Sequence, residues 1–289
     1  MVIFFPPIPA TVALAGTLLF NSMISTTITI PLTTNYEFGN GSVQIDNPMK
    51  FRGMTLVEPK FLGAGGGGSV WNMKAMRNDN SDGKNDVVVK ISWGRSTDSV
   101  RNECDILNVM ERNGVTGVER CLGNMEYKYD PQRVVIAMEP FVEDIDIDSD
   151  GGDITSSLAE LSPKIARRSS IQLGQTMAQM LAANVVTTDL QPLISKFTGE
   201  VTLIDMTEAK VLLQQSNGSK TITETDKALI NAFCTEIIGL IPDSLLDDAF
   251  SGSFVKELHR IETEKHIQLD AEVKEVLRDL PLKGVEKIL

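Results

Sequence analysis

The chain has 289 residues, a formal net charge of -12, 42% hydrophobic residues and 23% charged residues. That composition suits one large domain or two lobes with a sizeable core, and it excludes a disordered chain. The acidic balance argues against nucleic acid as a partner, because neutralising a phosphate backbone needs clustered Lys and Arg, whereas a single nucleotide needs only one or two local cations.

Residues 1–34 differ from the rest. No Lys, Arg, Asp or Glu occurs from Met1 to Asn35, and Ile8–Met23 is mostly apolar. This segment reads as a targeting or anchoring leader, with residues 8–23 as a candidate membrane contact. It implies a secretory, organellar or membrane-associated protein; without a leader the chain is cytoplasmic. The alternative is an N-terminal arm whose Thr-rich end, Ser25–Thr34, forms a strand. Asn-Gly-Ser sequons begin at Asn40 and Asn217, and they matter only on the secretory route.

Thr55–Leu62 reads as a strand running into Gly63-Ala64-Gly65-Gly66-Gly67-Gly68-Ser69-Val70. Glycine is costly to order, so such a run is kept where backbone must come close to something. Either N–H groups cradle a phosphate chain there, or the run is a plain turn between strands. Val70–Met76 is expected to leave it as a strand, followed by polar turn chemistry over Arg77–Asp86. Val87–Ile91 reads as a short buried strand carrying Lys90. Thr97–Arg112 is expected to be helical, with Val100, Ile106, Leu107 and Met110 apolar and Glu103 among them. Val134–Phe141 reads as another buried strand.

Asp146, Asp148, Asp150 and Gly151 match the first half of an EF-hand calcium loop. The twelfth position is Ser157 instead of a bidentate Glu, and the run follows a strand, so it reads as a solvated connector. Ser162 and Pro163 open a helix to about Ala183. Short strands are expected around Ile194 and over Val201–Ile204, and helices over Asp226–Ile241, Phe254–Glu264 and Asp270–Leu280. The order is α+β: a leader over 1–34, a sheet-rich N-lobe over 35–141 and a helical C-lobe over 142–289. Cys104, Cys121 and Cys234 are odd in number and widely spaced, with no CxxC, which suggests neither a disulfide framework nor a zinc cluster. His259 and His266 stand two helical turns apart, too far to share a metal.

Gly63-x-Gly65-x-x-Gly68 fails as a dinucleotide fingerprint. That motif needs a helix straight after the loop and an acid at the end of the next strand. Here a strand-like Ser69-Val70-Trp71-Asn72-Met73 follows, and the next strand carries Lys90. No Gly-Lys-Ser or Gly-Lys-Thr follows, so a Walker loop fails too.

The layout instead resembles the protein kinase-like superfamily, as a divergent member. Gly63, Gly65, Gly66, Gly67, Gly68 and Val70 stand where the family has its glycine-rich loop and adenine-packing valine. Val88-Val89-Lys90 stands at the family's Ala-x-Lys, and Glu103 at its helix glutamate. Met138-Glu139-Pro140-Phe141 resembles the gatekeeper and hinge. Asp189-Leu190-Gln191-Pro192 resembles the catalytic loop, and Leu203-Ile204-Asp205-Met206-Thr207 the metal-binding Asp-Phe-Gly segment. The resemblance implies a two-lobed fold, with ATP and Mg²⁺ as cofactors. It implies transfer of the γ-phosphoryl group to a hydroxyl acceptor, with protein Ser or Thr favoured over a small molecule. Lys90, directed by Glu103, would hold phosphates; Asp205 would bind Mg²⁺; Asp189 would orient or deprotonate the acceptor.

The departures keep a second reading open, that of a weak or inactive pseudokinase acting as a nucleotide-binding scaffold. Ile194 replaces the family's metal-binding asparagine. Thr187-Thr188 replaces His-Arg. Gln191 replaces a lysine that would add positive charge at the transition state. Met206-Thr207 lacks the glycine hinge, and no Ala-Pro-Glu follows. A third reading is a secreted or tethered binding domain with an accidental glycine run. The four consecutive glycines are expected to make the loop looser than usual.

Overall fold

The computed structural model describes residues 32–39, 41–76, 85–141, 153–212 and 222–287. Residues 8–23, both sequon asparagines and the Asp146–Gly151 run lie outside the described residues. The chain is mixed α+β, with sheet-rich and helical parts, and divides into two compact units. The first unit comprises residues up to Val100 together with Leu122–Pro140. The second comprises Arg101–Cys121 and everything from Phe141 on. Among the described residues, no single helix is long and apolar enough to cross a membrane.

The first unit is built on a sheet of β3 (Met49–Phe51), β4 (Met54–Ala64), β5 (Gly68–Met76), β6 (Asn85–Ser92), β7 (Cys121–Tyr127) and β8 (Asp130–Met138), in the order β3-β4-β5-β6-β8-β7. Strand periodicity sorts its residues onto two faces. Trp71, Met73, Ala75, Val87, Val89, Ile91, Val135 and Ala137 form the core on one face. A hairpin of β1 (Leu32–Phe38) and β2 (Gly41–Asn47) packs Tyr36, Phe38, Val43 and Ile45 onto that core. Its rings interlock with the sheet: Tyr36 lies 4.5 Å from Trp71, and Phe38 lies 5.1 Å from Phe61 and 5.7 Å from Trp93. The arm alternative placed a strand at Ser25–Thr34; of that span only residues 32–34 are described, and they belong to β1.

Two polar anchors hold the hairpin. Asp46 accepts hydrogen bonds from Thr33 Oγ1 at 2.9 Å, from Lys128 Nζ at 2.8 Å and from the Tyr129 hydroxyl. The Arg133 guanidinium lies over the rings of Trp93 and Tyr127 and donates to the carbonyls of Ser92 (2.6 Å) and Ser42 (2.8 Å). β7, β1 and β2 were not among the expected strands. β2 alternates Val43 and Ile45 with Gln44 and Asp46, but over too short a run to stand out from its polar surroundings.

The second unit centres on α2 (Pro163–Ala182), which buries Leu173, Met177, Ala178 and Leu181 and packs along α5 (Gly252–Glu264). Proline at its first turn costs nothing, since that N–H would have no helical partner. α3 (Glu224–Gly239) starts with a capping box of Thr223 and Asp226, and α6 (Ala271–Arg278) packs on it. Gln179 of α2 joins the layers: it accepts from the Thr116 N–H and donates to Glu257, which Arg260 also holds. The unit also holds a small sheet, in the order β12 (Val201–Ile204), β11 (Gln191–Ser195), β9 (Ile154–Thr155), and a separate two-residue pair, β10 (Val185–Val186) with β13 (Lys210–Val211).

Helix α1 (Thr97–Arg112) carries the boundary between the units within its first two turns. Cys104 on α1 and Cys121 at the start of β7 form a disulfide, with Cα atoms 5.4 Å apart. This corrects the expectation of no disulfide. Spacing along the chain showed no framework, but a turn after α1 brings residue 121 back beside the helix. Cys234 is a free, buried cysteine.

Candidate functional site

In the first unit, the glycine run closes the β4–β5 hairpin. The Gly65 N–H donates to the Gly68 carbonyl at 3.0 Å. The Trp93 indole N–H donates to the Gly65 carbonyl at 2.8 Å. The Trp93 backbone N–H and the Ser96 hydroxyl both donate to the Gly67 carbonyl, at 3.1 and 2.6 Å. The loop expected to be loose is therefore pinned at two carbonyls by residues that follow β6. A trans peptide sets its C=O and the next N–H on opposite sides. Pinning the Gly65 carbonyl to Trp93 thus turns the Gly66 N–H the other way.

The glycines divide into two kinds. A Cβ on Gly68 would meet the Ile91 carbonyl oxygen at 2.2 Å, so the β5–β6 ladder itself requires glycine there. A Cβ on Gly63, Gly65 or Gly66 would meet nothing within 4 Å, and none of the three has the positive φ that favours glycine. Neither packing nor backbone conformation among the described residues accounts for those three. Beneath the loop, a Cβ on Gly67 would stand 3.4 Å from Lys90 Cε and 3.7 Å from Nζ. Lys90 is 6% exposed.

Register collects the other candidates of this unit. Val70, Lys90 and Ile136 form one cross-strand rank, and Asn72, Val88 and Met138 the next. Direct partners share a face, so Val70, Val88, Lys90 and Met138 all lie on the face opposite the aromatic core. Glu139, just past β8, is exposed, while Phe141 belongs to the second unit.

In the second unit, β11 pairs with β12 so that Gln191 faces Ile204. Asp189 stands two residues before β11 and Asp205 directly after β12, so the hairpin brings both to its open end. Asp189 is exposed and Asp205 half-buried. Ile194 is fully buried between Val201 of β12 and Thr155 of β9. Its role is packing; it offers no ligand to a cation.

Asp205 adopts the left-handed conformation, φ 60° and ψ 62°. A non-glycine residue pays for that geometry, and such residues cluster at functional sites. Its surroundings hold it there. Thr207 Oγ1 donates to Asp205 Oδ1 at 2.8 Å. The Asp205 N–H donates to Glu119 Oε2 at 3.3 Å, and the Met206 N–H to Glu103 Oε1 at 3.1 Å. Glu103 is fully buried, and its Oε1 accepts from the peptide after Asp205. Sequence reasoning missed Trp93, Ser96 and Glu119. A Trp-Gly pair closing the Lys90 strand was a signal for the first two; for Glu119 there was none.

Among the described residues no group of three or more His, Cys, Asp or Glu gathers around a cation position. Mg²⁺ needs no such group: it takes one or two carboxylates and completes its shell with phosphate and water oxygens. The half-buried Asp205 carboxylate, held on a constrained backbone, suits that role.

No protein-family model matches the chain, and no curated protein matches its sequence. A solved structure similar to it is the kinase domain of PknI from Mycobacterium tuberculosis, in a double-mutant form. The two are 14% identical over 68% of this chain and 77% of that one, with a TM-score of 0.42. The likeness is a distant one of fold.

Proposed function

We propose that this chain is a kinase-like, ATP-binding protein that transfers the γ-phosphoryl group to a hydroxyl acceptor. One observation carries the reading: Gly65 and Gly66, which neither packing nor a positive φ requires, sit in a pinned loop next to Gly67, whose Cβ position stands 3.4 Å from Cε of the buried Lys90. Backbone without side chains next to a fixed cation is what a triphosphate needs. Phosphoryl transfer demands positioning and charge neutralisation more than covalent help. The loop and Lys90 hold phosphates, and Val70, Val88 and Met138 supply an apolar wall for the base. Asp205 would hold Mg²⁺, which would supply positive charge to the phosphates. Asp189 orients the acceptor hydroxyl, and protein Ser or Thr is the favoured acceptor. The Cys104–Cys121 disulfide supports the secretory or organellar routing expected of residues 1–34, because disulfides persist in oxidising compartments.

Buried Ile194 favours a second reading, a nucleotide-binding scaffold with weak or no catalysis. Thermal-shift titration with ATP, with and without Mg²⁺, separates binding from none. A ligand at a hundredfold excess over Kd stabilises by about 2.7 kcal/mol. Lys90→Met removes the shift, and Asp205→Asn removes its Mg²⁺ dependence. Absence of any shift at millimolar ATP refutes both readings. Phosphate release that is equal in wild type and Asp189→Ala leaves the scaffold alone standing.

A further inference from the structure

Two chain segments hold Asp205, and the disulfide joins them. From α1, Asn102 Nδ2 donates to the Ala209 carbonyl at 3.3 Å, and Glu103 accepts from the Met206 N–H. From residues 117–119, the Gly117 carbonyl accepts from the Leu203 N–H at 2.9 Å, the Glu119 N–H donates to the Leu203 carbonyl at 3.2 Å, and the Glu119 carboxylate accepts from the Asp205 N–H. Cys104 follows Glu103 directly, and Cys121 lies two residues after Glu119. We propose that Cys104 and Cys121 are positioning residues. Their disulfide locks α1 to the 117–121 segment so that two carboxylates meet two successive peptide N–H groups and keep Asp205 left-handed.

The physical need is plain. Glu103 and Glu119 reach neighbouring peptide N–H groups from two separate segments. Asp205 sits in a conformation that its own backbone disfavours, so the support is lost if the two segments part. A covalent tie between them opposes that parting. The inference rests on the reading of Asp205 as the cation-binding carboxylate. It also makes the site redox-dependent. A dithiol passes two electrons and two protons to the sulfur pair, the S–S bond becomes two thiols, and the dithiol closes to its own disulfide.

The test follows amide hydrogen exchange of the full chain in the oxidised, dithiothreitol-reduced and reoxidised states, and of Cys104→Ser/Cys121→Ser. Exchange at Asp205 and Met206 is expected to accelerate about tenfold or more on reduction and in the variant, with α2 and α5 still protected, and reoxidation restores the wild type. The Mg²⁺-dependent part of ATP affinity weakens by about tenfold, the usual cost of losing outer-shell support, while Mg²⁺-free ATP affinity stays. Unchanged exchange at both residues with the thiols free overturns the proposal. So does loss of protection spreading to α2 and α5, which makes the bond a general staple, and so does an intact Mg²⁺ term. If oxidised wild type binds no ATP, the functional reading fails separately, and the exchange result alone decides the role of the disulfide.

Discussion

The two kinds of glycine in the loop make opposite predictions for the same chemical change. In Gly68→Ala, the new methyl would stand 2.2 Å from the Ile91 oxygen, 2.9 Å from the Ile91 carbonyl carbon and 3.0 Å from Ser92 Cα. All three are backbone atoms, so no rotamer change relieves the clash. A carbon–oxygen contact relaxes only near 3.3 Å, so β5 and β6 must part by about 1 Å. Overpacking of that kind costs about 3 kcal/mol, and the lower entropy of an unfolded alanine offsets about 0.4–1 kcal/mol of it. In Gly66→Ala the methyl meets nothing, and only the offset remains. The stabilities of the two variants should therefore differ by about 3 kcal/mol, roughly 6–12 °C in Tm for a chain of this size. Gly66→Ala keeps the melting temperature of wild type or exceeds it, yet weakens ATP binding. Differential scanning fluorimetry with an ATP titration reads both. Equal melting of the two variants refutes the packing argument, and full ATP affinity in Gly66→Ala refutes the placement of phosphates at that glycine.

Trp93→Phe keeps an aromatic ring beside Phe38 but removes the indole donor to Gly65, so it should cost about 1 kcal/mol and speed amide exchange over Gly65–Gly67; unchanged exchange there shows that the loop is held by something else. Burial pushes the pKa of Asp46 up, but hydrogen bonds from Lys128, Tyr129 and Thr33 outweigh it and hold the group below its ordinary 3.8. A depressed carboxylate stabilises the fold above its unfolded pKa, and that contribution is lost as pH falls through the folded value. The gap in urea midpoint between wild type and Asp46→Asn should thus be widest near neutral pH and close as pH drops below 3.8; a gap that widens on acidification contradicts this. Burial raises the pKa of the Cys234 thiol well above the usual range, so the native oxidised chain should take up no iodoacetamide at pH 8 and the denatured, unreduced chain one equivalent. Two or more equivalents on the denatured chain would mean that Cys104 and Cys121 are not joined.

Much of the candidate site was legible because its signals are local. Gly63–Gly68 between two alternating strands, a lysine within a β-branched run, and an Asp at the end of Val201–Ile204 each announce themselves within about ten residues. The α+β order and the long helix from Pro163 follow from hydrophobic period and proline punctuation. Even the shared face of Val70, Val88, Lys90 and Met138 needs only strand register beyond that.

What holds those residues in place was not local. Glu103 and Met206 are 103 positions apart, and Glu119 and Asp205 are 86. Trp93 reaches back 28 residues to Gly65. A glutamate at a helix position carries the same pattern whether it faces a lysine, a peptide N–H or solvent, so periodicity alone does not choose its partner. Cysteines seventeen apart have no signature until a turn brings the chain back beside the helix. The four glycines show the same limit. Backbone freedom makes them loose in isolation, and only tertiary hydrogen bonds from Trp93 and Ser96 turn them into a fixed loop. Residue type and spacing thus determined the chemistry on offer, because charge, size and flexibility belong to each residue. Tertiary structure alone decided how that chemistry is aimed, because direction comes from partners that the chain supplies from far away.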